Sequence, residues 1–150
     1  MDYTEYIYPF TDEKIIIKKE DYNSILDYCR QGIPEESCGL IGGKKDENIN
    51  RIEKVYFLTN IDHSNEHFSM DPKEQLDAYK DARANGYDIL GNFHSHPESP
   101  SRPSEEDKKL AYDSKAIYMI LSLMEDNNPV LRAFHVEKNS IVTEHEIIVE

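Results

Sequence analysis

Apolar positions recur along the chain with two periods, and the switches between them divide it into elements. Tyr22, Ile25, Leu26 and Cys29 fall at i, i+3, i+4 and i+7, one face of a helix. Gly32 and Pro34 stop that helix. Ile15 to Ile17 reads as a short strand before it. Cys38 to Gly43 is a short apolar run set among glycines, the pattern of a buried strand. Lys44 to Asn48 is a polar turn, and Arg51 to Thr59 alternates Val55, Phe57 and Thr59 against Tyr56 and Leu58. These two strands are predicted to pair as a hairpin. Asn60 to Ser69 reads as loop.

Asp71-Pro72-Lys73-Glu74 is a helix start, with Asp as N-cap, Pro at the first position and Glu at the third. The helix is predicted through Leu76, Tyr79 and Ala82 to a stop at Asn85-Gly86. Ile89 to His94 is a strand, Pro97, Pro100 and Pro103 stiffen a loop, and a third helix begins near Ser104. Ile117 to Leu123, Val130 to Val136 and Ile141 to Val149 are the remaining strands. Residues 1–12 carry Tyr3, Tyr6, Tyr8 and Phe10 without a period, so they read as a loose arm or an edge segment. The mixed order predicts an α+β or α/β class, with about three helices around one sheet in a single domain over residues 1–150.

Charge narrows the partners. Lys plus Arg is 17 and Asp plus Glu is 30, a net charge of −13. Nucleic acid requires a basic face, and an anionic membrane surface repels this balance, so neither is an expected partner. No apolar run approaches the ~18 residues of a membrane span, and Met1 to Lys14 does not spell a secretory signal. Two cysteines, Cys29 and Cys38, are too few for a disulfide scaffold. A reducing, cytoplasmic setting is the expectation, with a Cys29–Cys38 bridge as the alternative.

The chemistry concentrates in one stretch. His94 and His96 are two apart, so on a strand both imidazoles share a face, their backbones about 6.6 Å apart. Two convergent imidazoles suit zinc, and a catalytic zinc takes three protein ligands plus a water. Asp107, in the first turn of the predicted third helix, is the natural third ligand. Zinc lowers the pKa of its bound water to about 7. Glu36, just before the Cys38 strand, is the candidate carboxylate to move the second proton. The Ser104 hydroxyl, beside Asp107, is the candidate oxyanion donor.

Glu36-x-Cys38-Gly39, His94-x-His96-Pro97 and Pro103-Ser104-x-x-Asp107 together resemble the JAMM (MPN-plus) zinc metalloprotease motif, most closely that of short bacterial members. Asn60, Phe68, Asp71-Pro72 and the strand Tyr118 to Leu123 are further marks, so the resemblance spans about Ile15 to Val136. It implies a curved mixed sheet and one zinc ion on His94, His96 and Asp107. It also implies Glu36 as general acid/base and Ser104 as stabiliser of the tetrahedral intermediate. The implied reaction is hydrolysis of a peptide or isopeptide bond at the C-terminus of a ubiquitin-like or sulfur-carrier protein. Glu35 adjoins Glu36, and spacing to Cys38-Gly39 favours Glu36. The chain lacks room for the long insertions with which eukaryotic members grip polyubiquitin.

Other readings compete. Ser104-x-x-Asp107 is also a helix-capping pattern. His63-Ser64-Asn65-Glu66-His67 matches the inverted-zincin pattern, but that pattern works on a helix and its neighbours here are loop formers. His135 and His145 lie in strand-like segments with no partner pattern. The alternative function is a non-catalytic MPN-type module that binds a ubiquitin-like partner, against which the retained ligand set argues. A deaminase lacks support because its Pro-Cys-x-x-Cys pair is absent.

Overall fold

The computed structural model describes residues 8–150, so the reading of Tyr3 and Tyr6 lies outside the described residues. Strand β1 (Phe10–Ile17) leads into helix α1 (Lys19–Gly32), and β2 (Cys38–Asp46) and β3 (Ile49–Leu58) form the expected hairpin. Helix α2 (Pro72–Ala84), strand β4 (Asp88–His96) and a short helix α3 (Glu105–Lys109) follow. Strands β5 (Ile117–Ser122), β6 (Val130–Val136) and β7 (Val142–Val149) complete the chain. The class is the expected mixed α+β, with three α-helices among the described residues. The sheet closes into a barrel in the order β1-β3-β2-β4-β5-β6-β7. It is mixed: β1 runs parallel to β3 and β7, and β4 runs parallel to β5.

The boundaries of β1 and β2 differ most from the sequence pattern, and β4 runs past its predicted end at His94 to His96. β1 begins at Phe10, so residues 10–12 belong to a strand and not to a loose arm; Phe10 pairs with Glu144 of β7, and pairing with β3 starts at Lys14. After an exposed Phe10, its first half is polar and partly exposed, which hides it from an apolar count. β2 continues past Gly43 to Asp46, and the turn narrows to Glu47-Asn48, with Glu47 at φ 55°. Lys44 to Asp46 pair across the hairpin although their side chains face water.

The central strands are covered on both faces. Ile41 of β2 packs with Ile15, Ile25, Phe93 and Met119 on the α1 side. Its neighbours Cys38 and Leu40 pack with Ala78 and Ala82 of α2. On β5, Met119 and Leu121 join the first cluster while Ile120 meets Phe134 and Val136. Burial on both faces is why these strands read as continuous apolar runs. Each such side chain contributes about 1.5–3 kcal/mol on burial.

Helix α2 meets the sheet through its small residues. Small Ala78 and Ala82 lie against the sheet, 4% and 1% exposed, while Leu76 and Tyr79 are half exposed. Small residues let the helix approach closely. Asp71 caps as expected, its side chain accepting from Lys73 N–H at 2.9 Å. Glu74 instead accepts from Thr59 N–H at 2.7 Å and Thr59 Oγ1 at 3.0 Å, which ties α2 to the chain leaving β3.

Gly91 pairs with Ile117 where β4 and β5 run parallel. A Cβ there would stand 1.9 Å from the Ile117 carbonyl oxygen, a clash with backbone that no rotamer relieves. Gly91→Ala is therefore expected to lower stability by at least about 1–3 kcal/mol, read as a lowered midpoint in chemical denaturation.

Candidate metal centre

The pleat of β4 places His94 and His96 on one face and Ser95 on the other. Both histidines are buried, 2% and 4% exposed. His94 Nε2 lies 3.1 Å from His96 Nε2, and Asp107 Oδ2 lies 3.2 Å and 3.1 Å from the two. Three donors around a tetrahedral ion with bonds of 2.0–2.1 Å stand about 3.3 Å from one another. The triangle therefore fits zinc, and the three residues form a potential metal-ligand group.

Each member is held from behind in its own way. His96 Nδ1–H donates to the Pro100 carbonyl at 2.7 Å, which leaves Nε2 with its lone pair. His94 Nδ1 is buried with no partner. Its ring is instead stacked on Phe68, centroids 4.7 Å apart and planes 29° apart. Asp107 Oδ2 accepts from Ser104 N–H at 2.9 Å, and Ser104 Oγ accepts from Asp107 N–H at 3.0 Å. The capping pattern is thus real and shares its carboxylate oxygen with the histidines. Ser104 uses its oxygen as an acceptor here, so its hydroxyl proton is left to donate elsewhere.

Charge in the centre is balanced by these contacts. Burial alone would raise the Asp107 pKa. The charge and hydrogen bond of His94, the hydrogen bond of His96 and the Ser104 N–H overcome it and hold the carboxyl well below the usual range. Burial pushes His94 down against the pull of Asp107. For His96 burial acts the same way, but the Asp107 hydrogen bond and charge outweigh it and raise the pKa.

Glu36 is 4% exposed, and its Oε1 is buried without a partner. Burial is the first cause that lifts its pKa to about 8, opposed by the His96 charge and reinforced by Asp107 and Glu106. The backbone around it is clamped. Ser95 Oγ accepts from Ser37 N–H at 2.8 Å, and Ser95 N–H donates to the Ser37 carbonyl at 3.0 Å. Asn60 Nδ2 donates to the Glu36 carbonyl at 2.9 Å, and Glu36 N–H donates to the Ser64 carbonyl at 2.7 Å. Glu35 points the other way, to a surface pair with His63 at 2.7 Å. The structure thus separates the two adjacent acids.

A cleft of about 340 Å³ opens on His94 and Asp107, walled by Phe68, Met70, Leu110, Tyr112 and Tyr118. Asn92, with Oδ1 buried and unpartnered, adds a polar point to that wall.

Of the five residues singled out by the sequence, His94, His96, Asp107 and Ser104 are joined by direct contacts, and Glu36 is close enough to feel the charges of His96 and Asp107. Only His94 and Asp107 of the five line the cleft; Glu36 lines a separate hollow with Tyr28, Ser37 and Asn60. Sequence patterning did not reveal the tasks of Ser95, Asn60 and Phe68, which brace the site through contacts between distant segments. The His63–His67 pattern lies in a loop, with His63 on Glu35 and His67 Nδ1 3.1 Å from Asp62. It forms no ligand group among the described residues. Cys29 and Cys38 are free, buried thiols whose pKa values burial raises to about 12.

The family described as prokaryotic homologs of the JAB domain matches residues 18–137. The chain is 26% identical over 136 residues to the CysO-cysteine peptidase of Mycobacterium tuberculosis, covering 91% of this chain and 92% of that protein. It is 30% identical over 115 residues to the desampylase of Pyrococcus furiosus, covering 77% and 76%. Among solved structures, that of protein DSY2949 from Desulfitobacterium hafniense superposes with a TM-score of 0.84 at 50% identity. The alignment covers 91% of this chain and 92% of that one.

The raised pKa of Glu36 has a cost in stability. An unfolded chain releases this proton near 4.5 and the folded one near about 8, so rising pH favours unfolding across that interval. Glu36→Gln removes the ionisation. In metal-free protein its thermal midpoint is expected to exceed that of wild type near pH 8 and to converge with it below about pH 4.5. Melting curves across this range are the check.

Proposed function

Because the chain belongs to the prokaryotic JAB family, we propose that it is a zinc-dependent peptidase cleaving the bond at the C-terminus of a ubiquitin-like or sulfur-carrier protein. The carrying observation is the convergence of His94, His96 and Asp107 within 3.1–3.2 Å, beside a buried carboxyl with an unpartnered oxygen. Relatives named CysO-cysteine peptidase, desampylase and probable TtuB-protein conjugate cleaving protease support the substrate class.

His94, His96 and Asp107 would hold the ion. Zinc bound there supplies Lewis acidity toward water and toward a scissile carbonyl. Glu36 takes the proton of the attacking water and delivers it to the leaving amine. Burial raises the pKa of this carboxyl, which favours the protonated form that donates to the leaving amine. The Ser104 hydroxyl donates to the oxyanion as it develops, from a position fixed by its reciprocal bonds with Asp107. The apolar wall of Leu110, Tyr112 and Tyr118 receives an extended C-terminal tail. With a net charge of −13, the chain favours a partner with a basic or neutral face.

The test is cleavage of a sulfur-carrier protein bearing a C-terminal extension, alongside metal analysis. Glu36→Gln is expected to retain its zinc and lose about 10²–10⁴-fold in kcat/KM. Asp107→Asn is expected to lose one equivalent of zinc together with activity. Wild-type cleavage by Glu36→Gln, or binding of the carrier without any cleavage by metal-loaded wild type, would sink the proposal. The second outcome would favour a binding module. Tyr112, 86% exposed on the cleft wall, is expected to act on binding alone. Tyr112→Ala should raise KM and leave kcat within about twofold.

A further inference from the structure

A second histidine pair lies on the far strands of the barrel. β6 and β7 are antiparallel, with Ala133 opposite His145 and His135 opposite Thr143. The two histidines are therefore diagonal neighbours. Both are buried, and His145 Nε2 lies 2.6 Å from His135 Nδ1. Glu13 of β1 brings Oε2 to 3.6 Å from the same His135 nitrogen. One atom from each of the three lies within 4.8 Å of the other two.

The outer atoms of these residues are already engaged. His135 Nε2 faces the Lys115 carbonyl at 3.1 Å, which only accepts, so that nitrogen carries the proton and Nδ1 holds the lone pair in the neutral ring. His145 Nδ1 faces Thr11 Oγ1 at 2.5 Å. Glu13 Oε1 accepts from Lys45 at 2.7 Å and from Asn50 at 3.2 Å. Such anchoring is how proteins fix the tautomer and aim of metal ligands. β1 also shifts register against β7 between Phe10 and Lys14, the interval that contains Thr11 and Glu13. Bulges of this kind re-aim side chains.

We propose that Glu13, His135 and His145 form a second site for a borderline divalent transition-metal ion such as zinc, which staples β1 to β6 and β7. Two imidazoles and one carboxylate are a zinc donor set, and the remaining position is open to water. Zinc bonds to both rings require the 2.6 Å contact to widen by about 0.7 Å. Lys45, half exposed, is free to swing into water as the ion replaces its charge beside Glu13. Without an ion, a single proton between the rings satisfies the chain from Thr11 to Lys115, so the two states make opposite predictions.

Metal content decides between them. The full chain, stripped with chelator, reloaded with zinc and passed through gel filtration, should retain two equivalents. Asp107→Asn should retain one, His135→Asn should retain one, and the double variant none. Glu13→Gln keeps the histidine packing and should also lose the second equivalent, with its circular dichroism spectrum unchanged. Cobalt in place of zinc should give visible bands that His135→Asn reduces and Asp107→Asn leaves in part. A single equivalent in wild type, lost entirely in Asp107→Asn, overturns the proposal. So does an undiminished content in both Glu13→Gln and His135→Asn. Carrier cleavage by His135→Asn should match wild type, so failure here is distinguishable from failure of the proposed peptidase.

Discussion

The structure depends on one strand serving two purposes through its pleat. On β4, His94 and His96 face the centre while Ser95 faces away and takes both backbone polar groups of Ser37. That pair of hydrogen bonds fixes the segment carrying Glu36 against the strand carrying the histidines. The distance between Glu36 and the two histidines is thus set by main-chain geometry, the stiffest ruler a protein has. β2 and β5, paired on either side of β4, keep that strand from yielding.

Two carboxyls in one neighbourhood are driven apart by their surroundings. Asp107 meets two imidazoles and a backbone N–H, so its charged form is favoured. Glu36 is buried with an unpartnered oxygen and feels the Asp107 charge, so its neutral form is favoured. Opposed environments of this kind assign different tasks to chemically equal groups. The cost appears as a buried ionisable group that destabilises the metal-free protein at high pH. Helix α3 shows a similar economy. At five residues it is too short to persist alone, and the capping box that begins it also aims Asp107.

The two histidine pairs differ in how they are made. His94 and His96 belong to one strand, and period two alone puts them together. His135 and His145 meet only because β6 and β7 pair in a given register, and Glu13 joins them only because β1 closes the barrel beside β7. No local pattern encodes that meeting. The same distinction governs the helices. The starts of α2 and α3 were legible from their capping residues. The buried face of α2 was not, because Ala78 and Ala82 prevail over Leu76 and Tyr79 once the sheet is in place.

Local physics was sufficient for what the sequence determined. The order of strands and helices, the hairpin of β2 and β3, and the grouping of His94, His96, Ser104 and Asp107 all follow from short-range periodicity, capping and spacing. Glu36 was set apart from the adjacent Glu35 only by the family motif it resembles, Glu36-x-Cys38-Gly39. Tertiary structure alone decided which of those two acids is buried, that β1 starts at Phe10, and that the sheet closes. It also decided that Phe68, Asn60 and Ser95 brace the centre. Each of those outcomes turns on contacts between segments far apart in the chain, whose energies no local window contains.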